Sequence, residues 1–212
     1  MAKRIAADSN KEVGKGEIKR LILWGGALSV ITLSVLALGL YFLYDASYDR
    51  QARQLRDAVA NRAALIESVA RFDRHNLSDT ADFANPAGQG PSAATFQQIN
   101  EAFSRSAGLG QTGEFVLGAR QGNEIVILAH QREQKPQPHT HRFPLDSNGI
   151  AEPVRLALNG QSGVVRGKDL HGSVVLAAVQ PLPGVEWGLV AKKDLAEIRA
   201  PYLRAAGVAG LG

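Results

Sequence analysis

The chain has no cysteine, a single methionine, only 6% aromatic residues, and no charged residue at all between positions 21 and 44. Without a thiol there is no disulfide framework, no thiolate metal site and no cysteine nucleophile. Missing cysteine does not fix the compartment, because exported proteins can lack it too. No G-x-S-x-G elbow and no H-E-x-x-H pair occurs, so nothing in the sequence assembles a catalytic constellation, and no catalytic residue, resident metal or cofactor is expected. With 212 residues, there is room for one ordinary domain plus a short segment, and a large multidomain enzyme is excluded.

The net charge of +4 points to nucleic acid until it is divided by region. Residues 1–20 carry six basic side chains against three acidic ones, and Arg204 adds one more positive charge. Residues 45–200 carry 17 basic and 17 acidic residues. A neutral main domain offers no footprint for a polyanion, which removes nucleic acid from the expected partners.

The charge-free stretch Leu21–Tyr44 reads LILWGGALSVITLSVLALGLYFLY, 24 residues. As a helix it spans roughly 36 Å, enough to cross a hydrocarbon core of about 30 Å. Trp24 near one end and Tyr41 and Tyr44 at the other suit the two interfaces. A buried core helix would need a larger protein around it, and a cleaved signal peptide has a shorter apolar region. An uncleaved signal anchor is the better reading. Lys19 and Arg20 abut the first end, whereas the nearest base past the other is Arg50. The positive-inside rule then gives a cytoplasmic tail (1–20), a transmembrane helix (21–44) and an extracytoplasmic domain (45–200). The final run, 201–212 (PYLRAAGVAGLG), is either an amphipathic tail or the start of a truncated second transmembrane helix. The second alternative is preferred, because an extracytoplasmic domain that returns to the membrane has a purpose there.

Residues 45–76 contain no Gly or Pro, and Leu55, Val59, Ala63, Ile66 and Ala70 recur at helical spacing. They predict a long helix continuing from the membrane span. Residues 77–92 are turn chemistry, and 93–106 predict a second helix with Phe96, Ile99 and Phe103 on one face. Strands are predicted at 114–119 and 124–130, joined by the hairpin signal Gln121-Gly122-Asn123. A polar, proline-containing loop (131–148) and a short helix (150–158) follow. Three more strands (164–168, 173–182, 187–193) and a helix from Leu195 to Leu203, capped by Asp194, complete the order. The fold class is α+β with a five-stranded antiparallel sheet.

The G-x-T-G-E run at 110–114, the D-x-x-G hairpin Asp169–Gly172, the strand through Pro181, the run Trp187-Gly188-Leu189-Val190 and the acidic Glu197 in the last helix carry a resemblance. Over roughly Gly108 to Tyr202 the chain resembles the extracytoplasmic Cache (PAS-like) sensor domain. That family sits between two membrane helices in bacterial histidine kinases, diguanylate cyclases and chemoreceptors. The resemblance implies a ligand-sensing input module with no turnover of its own, acting across a homodimer. Its parent protein would carry an output region, a sensor histidine kinase first among the options. The alternative, from another class, is a bitopic envelope scaffold or partner-binding protein. A small extracytoplasmic hydrolase is disfavoured by the missing constellation.

By resemblance and placement, the ligand-binding candidates are Arg132, Arg142 and Asp169, with His130 and Gln180 behind them. The arginines would suit a small carboxylate through bidentate hydrogen bonds; the bland alternative for each is a surface residue or a fold-stabilising ion pair. His139-Thr140-His141, with His130 nearby, could hold Zn, Cu or Ni, but no carboxylate or thiolate ligand is obviously paired with it and a solvated loop is the simpler reading. Gly108-Leu109-Gly110-Gln111-Thr112-Gly113 has the G-x-G-x-x-G spacing but opens a strand rather than a helix, so it reads as a turn. His171 lies in a turn, and Trp187 reads as a sheet-packing residue.

Overall fold

A computed structural model describes residues 2–76, 97–99, 101, 109–130, 141–146 and 149–210. Its elements are α1 (Ala2–Asn76), β1 (Glu114–Gln121), β2 (Glu124–His130), β3 (Arg142–Pro144), α2 (Glu152–Leu158), β4 (Gly163–Lys168), β5 (Val174–Leu182), β6 (Trp187–Asp194) and α3 (Leu195–Gly210). The predicted helix at 93–106 falls mostly outside the described residues; within it, 97–99 and 101 are helical. The chain forms two compact units, one of Met1–Ala46 with Arg204–Gly212 and one of Ser47–Leu203.

In the first unit, α1 is long and apolar enough to cross a membrane, and none of the residues in its most apolar window is buried. Leu21, Trp24, Leu28, Ile31, Val35 and Phe42 stand open to the surroundings. Water penalises such a surface; a hydrocarbon layer does not.

The second unit holds an antiparallel sheet in the order β3-β2-β1-β6-β5-β4. It has six strands where five were predicted. The extra one, β3, is a three-residue edge strand inside the predicted 131–148 loop, pairing Arg142, Phe143 and Pro144 with Val126, Ile125 and Glu124. Three residues are too few to show a period of two, so only the neighbouring strand reveals this one.

Side chains alternate between the two faces of the sheet. One face carries Val116, Val175, Ala177, Val179 and Val190, which pack with Val154 and Ala157 of α2. Two glycines make room for that helix. Gly118 and Gly188 stand opposite one another across β1 and β6. A Cβ on Gly118 would come within 2.5 Å of Val154 Cγ1, and one on Gly188 within 2.9 Å of Ala157 Cβ. The other face presents Phe115, Leu117, Leu176 and Leu189 and receives α1. There the Arg62 guanidinium lies 4.2 Å above the Phe115 ring, and Lys193 Nζ donates to Gln51 Oε1 at 3.3 Å. The α1 stripe Leu55, Val59, Ala63, Ile66 and Ala70 is buried, as its spacing predicted; each large aliphatic side chain among them contributes about 1.5–3 kcal/mol.

Candidate ligand-binding site

The site begins with an irregularity in β2. Leu117 pairs with Ala129, but Gly118 pairs with Ile127, which leaves Leu128 as an extra residue. Strict alternation from Ile125 and Ile127 would send His130 to the α1 face. The bulge reverses the parity beyond it, so His130 stands opposite Val116 on the α2 face.

Next to it, the ladder sets Glu114 of β1 directly across from Lys192 of β6, and both are almost wholly buried. Glu114 is ion-paired to Lys192, and its other oxygen lies 2.8 Å from His130 Nε2. Lys192 also pairs with Asp169, which is held in a tight turn. Asp169 Oδ1 accepts the backbone N–H groups of His171 at 2.9 Å and Ser173 at 2.8 Å. Gly172, with φ of 81°, takes the left-handed conformation that closes the turn and that a side chain would resist. This is the physical content of the D-x-x-G spacing: an acceptor five residues before the strand resumes at Val174, and a glycine where φ is positive. The Ala151 N–H donates to the Asp169 carbonyl at 3.2 Å, which ties the start of α2 to the same turn.

Burial alone would push the Glu114 carboxyl up. Hydrogen bonds from His130 and Lys192 and the Lys192 charge outweigh it and hold Glu114 below the usual carboxylate range. Asp169 follows the same pattern: burial raises it, whereas Lys192 and the two turn amides lower it further. Both remain ionised, as buried carboxylates do when paired and hydrogen-bonded.

Above this network lies a cavity of about 430 Å³ lined by His130, His141, Asp169, Leu170, His171, Ser173, Lys192 and Asp194. The His130 and His171 rings are 5.9 Å apart, and His171 Nδ1 is 3.7 Å from Asp169 Oδ2. His141 stacks on Phe143 at 6.3 Å. The size suits a small molecule, and the lining can supply both donors and acceptors.

Of the candidates read from the sequence, His130 and Asp169 meet at this cavity. Arg142 does not line it; its guanidinium donates to Gln121 at 2.8 Å and Glu124 at 3.0 Å on the edge of the sheet. Gln180 pairs with Leu189 and so lies on the α1 face of β5. Arg132 and His139 fall outside the described residues. Among the described residues no three His, Asp or Glu side chains gather to hold a metal ion. Trp187 is buried in the sheet. Glu114, Lys192 and Asp194 were missed from sequence. The available signal was a lysine at an inward-facing position of the apolar strand WGLVAKKD, which its neighbour Lys193 obscured.

Compared with known proteins, the chain matches no family model and no curated sequence.

Proposed function

We propose that this protein is the ligand-sensing input module of a membrane-bound bacterial signalling protein, anchored by residues 21–44 with its main domain outside the inner membrane. The observation that carries this reading is the cavity over the Glu114–Lys192–Asp169 network. A histidine-lined hollow on one face of a sheet, with helices leaving the same unit, suits reception better than scaffolding. The resemblance to Cache sensor domains adds to it. The ligand is a small carboxylate, met by Lys192 and the imidazoles. Ligand would bias two arrangements of the unit and of α1 and α3, across a homodimer, and a histidine kinase is the output most in keeping with the architecture.

The test is a thermal-shift screen of the full chain in detergent against carboxylates, amino acids, amines and divalent metals. A ligand at a hundred times its Kd stabilises by about 2.7 kcal/mol. Stabilisation by carboxylates, weakened in His171→Gln, supports the reading. Stabilisation by metals alone, or by nothing in the panel, overturns it. Reporter fusions after Asn76 that are active only in the cytoplasm would reverse the topology.

A further inference from the structure

The polar groups under the cavity are largely committed to one another. The Lys192 ammonium meets Glu114 and Asp169, and Asp169 Oδ1 accepts the His171 and Ser173 amides. An ammonium has three donors, so two of those on Lys192 serve the network and one is left for a ligand. Lys192 is the one ammonium among the described lining residues. A carboxylate is therefore anchored at a single point, and the rest of the wall has to recognise whatever that carboxylate is attached to.

That wall is rich in rings: His130, His141 and His171 line the cavity together with Leu170. The rings run from its floor to its mouth. The His130 side chain is 6% exposed and that of His171 63%, and their centroids lie 5.9 Å apart with the planes tilted by 39°. Two of the three rings are held in place. His130 Nε2 lies 2.8 Å from Glu114, and His141 is stacked on Phe143 with 10° between the planes. Rings that are already fixed lose little freedom when a ligand covers them. Flat π surfaces recognise flat partners by offset stacking or edge-to-face contact, beyond what burial of the same area supplies. At about 430 Å³ the space falls within the range of pockets that enclose ring-bearing molecules, and an acetate would leave most of it to water.

We propose that the cavity selects an aromatic monocarboxylate, with its carboxylate on Lys192 and its ring against the His130–His171 pair. This inference rests on the carboxylate reading above and narrows it to one class of ligand. The charged end fixes orientation, and the ring contact separates this class from short aliphatic acids and from saturated rings of the same size.

The experiment is calorimetric titration of the full chain in detergent and carboxylate-free buffer with benzoate, cyclohexanecarboxylate and acetate. Benzoate and cyclohexanecarboxylate differ in little but the π system, so their ratio isolates the ring contact from burial of apolar area. The expected result is that benzoate binds about fivefold tighter than cyclohexanecarboxylate and that acetate binds most weakly. In His171→Leu the preference for benzoate should shrink toward parity, and in His171→Phe, which restores a ring, it should return. His171 holds the Asp169 turn through its backbone N–H, so neither substitution removes that bond. Equal affinities for benzoate and cyclohexanecarboxylate, or a preference unchanged in His171→Leu, overturn the ring contact and leave the carboxylate reading standing. Binding of none of the three acids overturns both.

Discussion

Lys192 and Lys193 are neighbours on β6, yet they face opposite sides of the sheet and do opposite things. Lys192 joins two buried carboxylates beneath the cavity. Lys193 reaches Glu197 of α3 at 3.1 Å and Gln51 of α1 at 3.3 Å. Glu197 in turn accepts the Thr112 N–H at 2.7 Å, the Thr112 hydroxyl at 2.5 Å and the Gln111 N–H at 3.2 Å. One residue thus closes the floor of a site, and the next ties both long helices to the first strand. Period-two alternation lets a single strand serve both faces, so on the proposed function a ligand that disturbed Lys192 would have only one residue to cross to reach the helices.

The sharpest way to break this comparison is to neutralise each lysine in turn. Lys192→Met leaves Glu114 and Asp169 facing one another without their shared cation and should cost about 3–5 kcal/mol in denaturant unfolding. Lys193→Met, whose partners keep other hydrogen bonds and some water, should cost about 1 kcal/mol. Equal losses would mean that the two faces are not built differently.

A second test adds bulk to the α2 face alone. Gly118→Ala puts a methyl group into Val154 on the α2 side and should cost about 1–3 kcal/mol by overpacking. Because α2 is tied to the Asp169 turn, the same variant should loosen hydrogen-exchange protection at His171 and Ser173. If those amides stay protected, α2 does not support the site.

A third prediction concerns acid. Burial would raise the Glu197 carboxyl, but the Thr112 hydroxyl and amide, Lys193 and the Gln111 amide bring it down to about 2 from an ordinary 4.5. A carboxyl depressed in the folded state contributes stability that is complete above its unfolded value and is lost as pH falls through the folded one. The unfolding midpoint should therefore drop between about pH 4.5 and 2, and Glu197→Gln should flatten part of that drop while costing about 1 kcal/mol at pH 7. The remaining slope belongs to Glu114 and Asp169, which are depressed too. An unchanged slope in the variant would remove Glu197 from the tie.

The fold was legible wherever one element carried its own signal. The α1 stripe, five strands and the two later helices all announce themselves by period, glycine and capping residues, and α3 merely runs on past Leu203 to Gly210. What stayed hidden depended on partners far along the chain. β3 exists only because β2 lies beside it. His130 faces the cavity only because Leu128 is a bulge, a displacement that no local pattern in EIVILAH encodes. Glu114 and Lys192 are separated by 78 positions and meet through strand register. Asp169 was readable because its turn chemistry is local, whereas Gln180 and Arg142, put forward by resemblance and placement, stand away from the cavity.

The smallest effect completes the series at Arg142. Its ion pair with Glu124 joins side chains that are 39% and 48% exposed, so water screens the attraction and the two long side chains lose freedom to make it. Arg142→Ala should shift stability by no more than about 0.5 kcal/mol and should leave carboxylate affinity at the cavity unchanged, whereas Lys192→Met, if it folds, should abolish it. A large loss of affinity in Arg142→Ala would instead mean that this edge strand swings over the site when ligand is bound, and the arginine would rejoin the ligand-binding residues that the sequence first put forward.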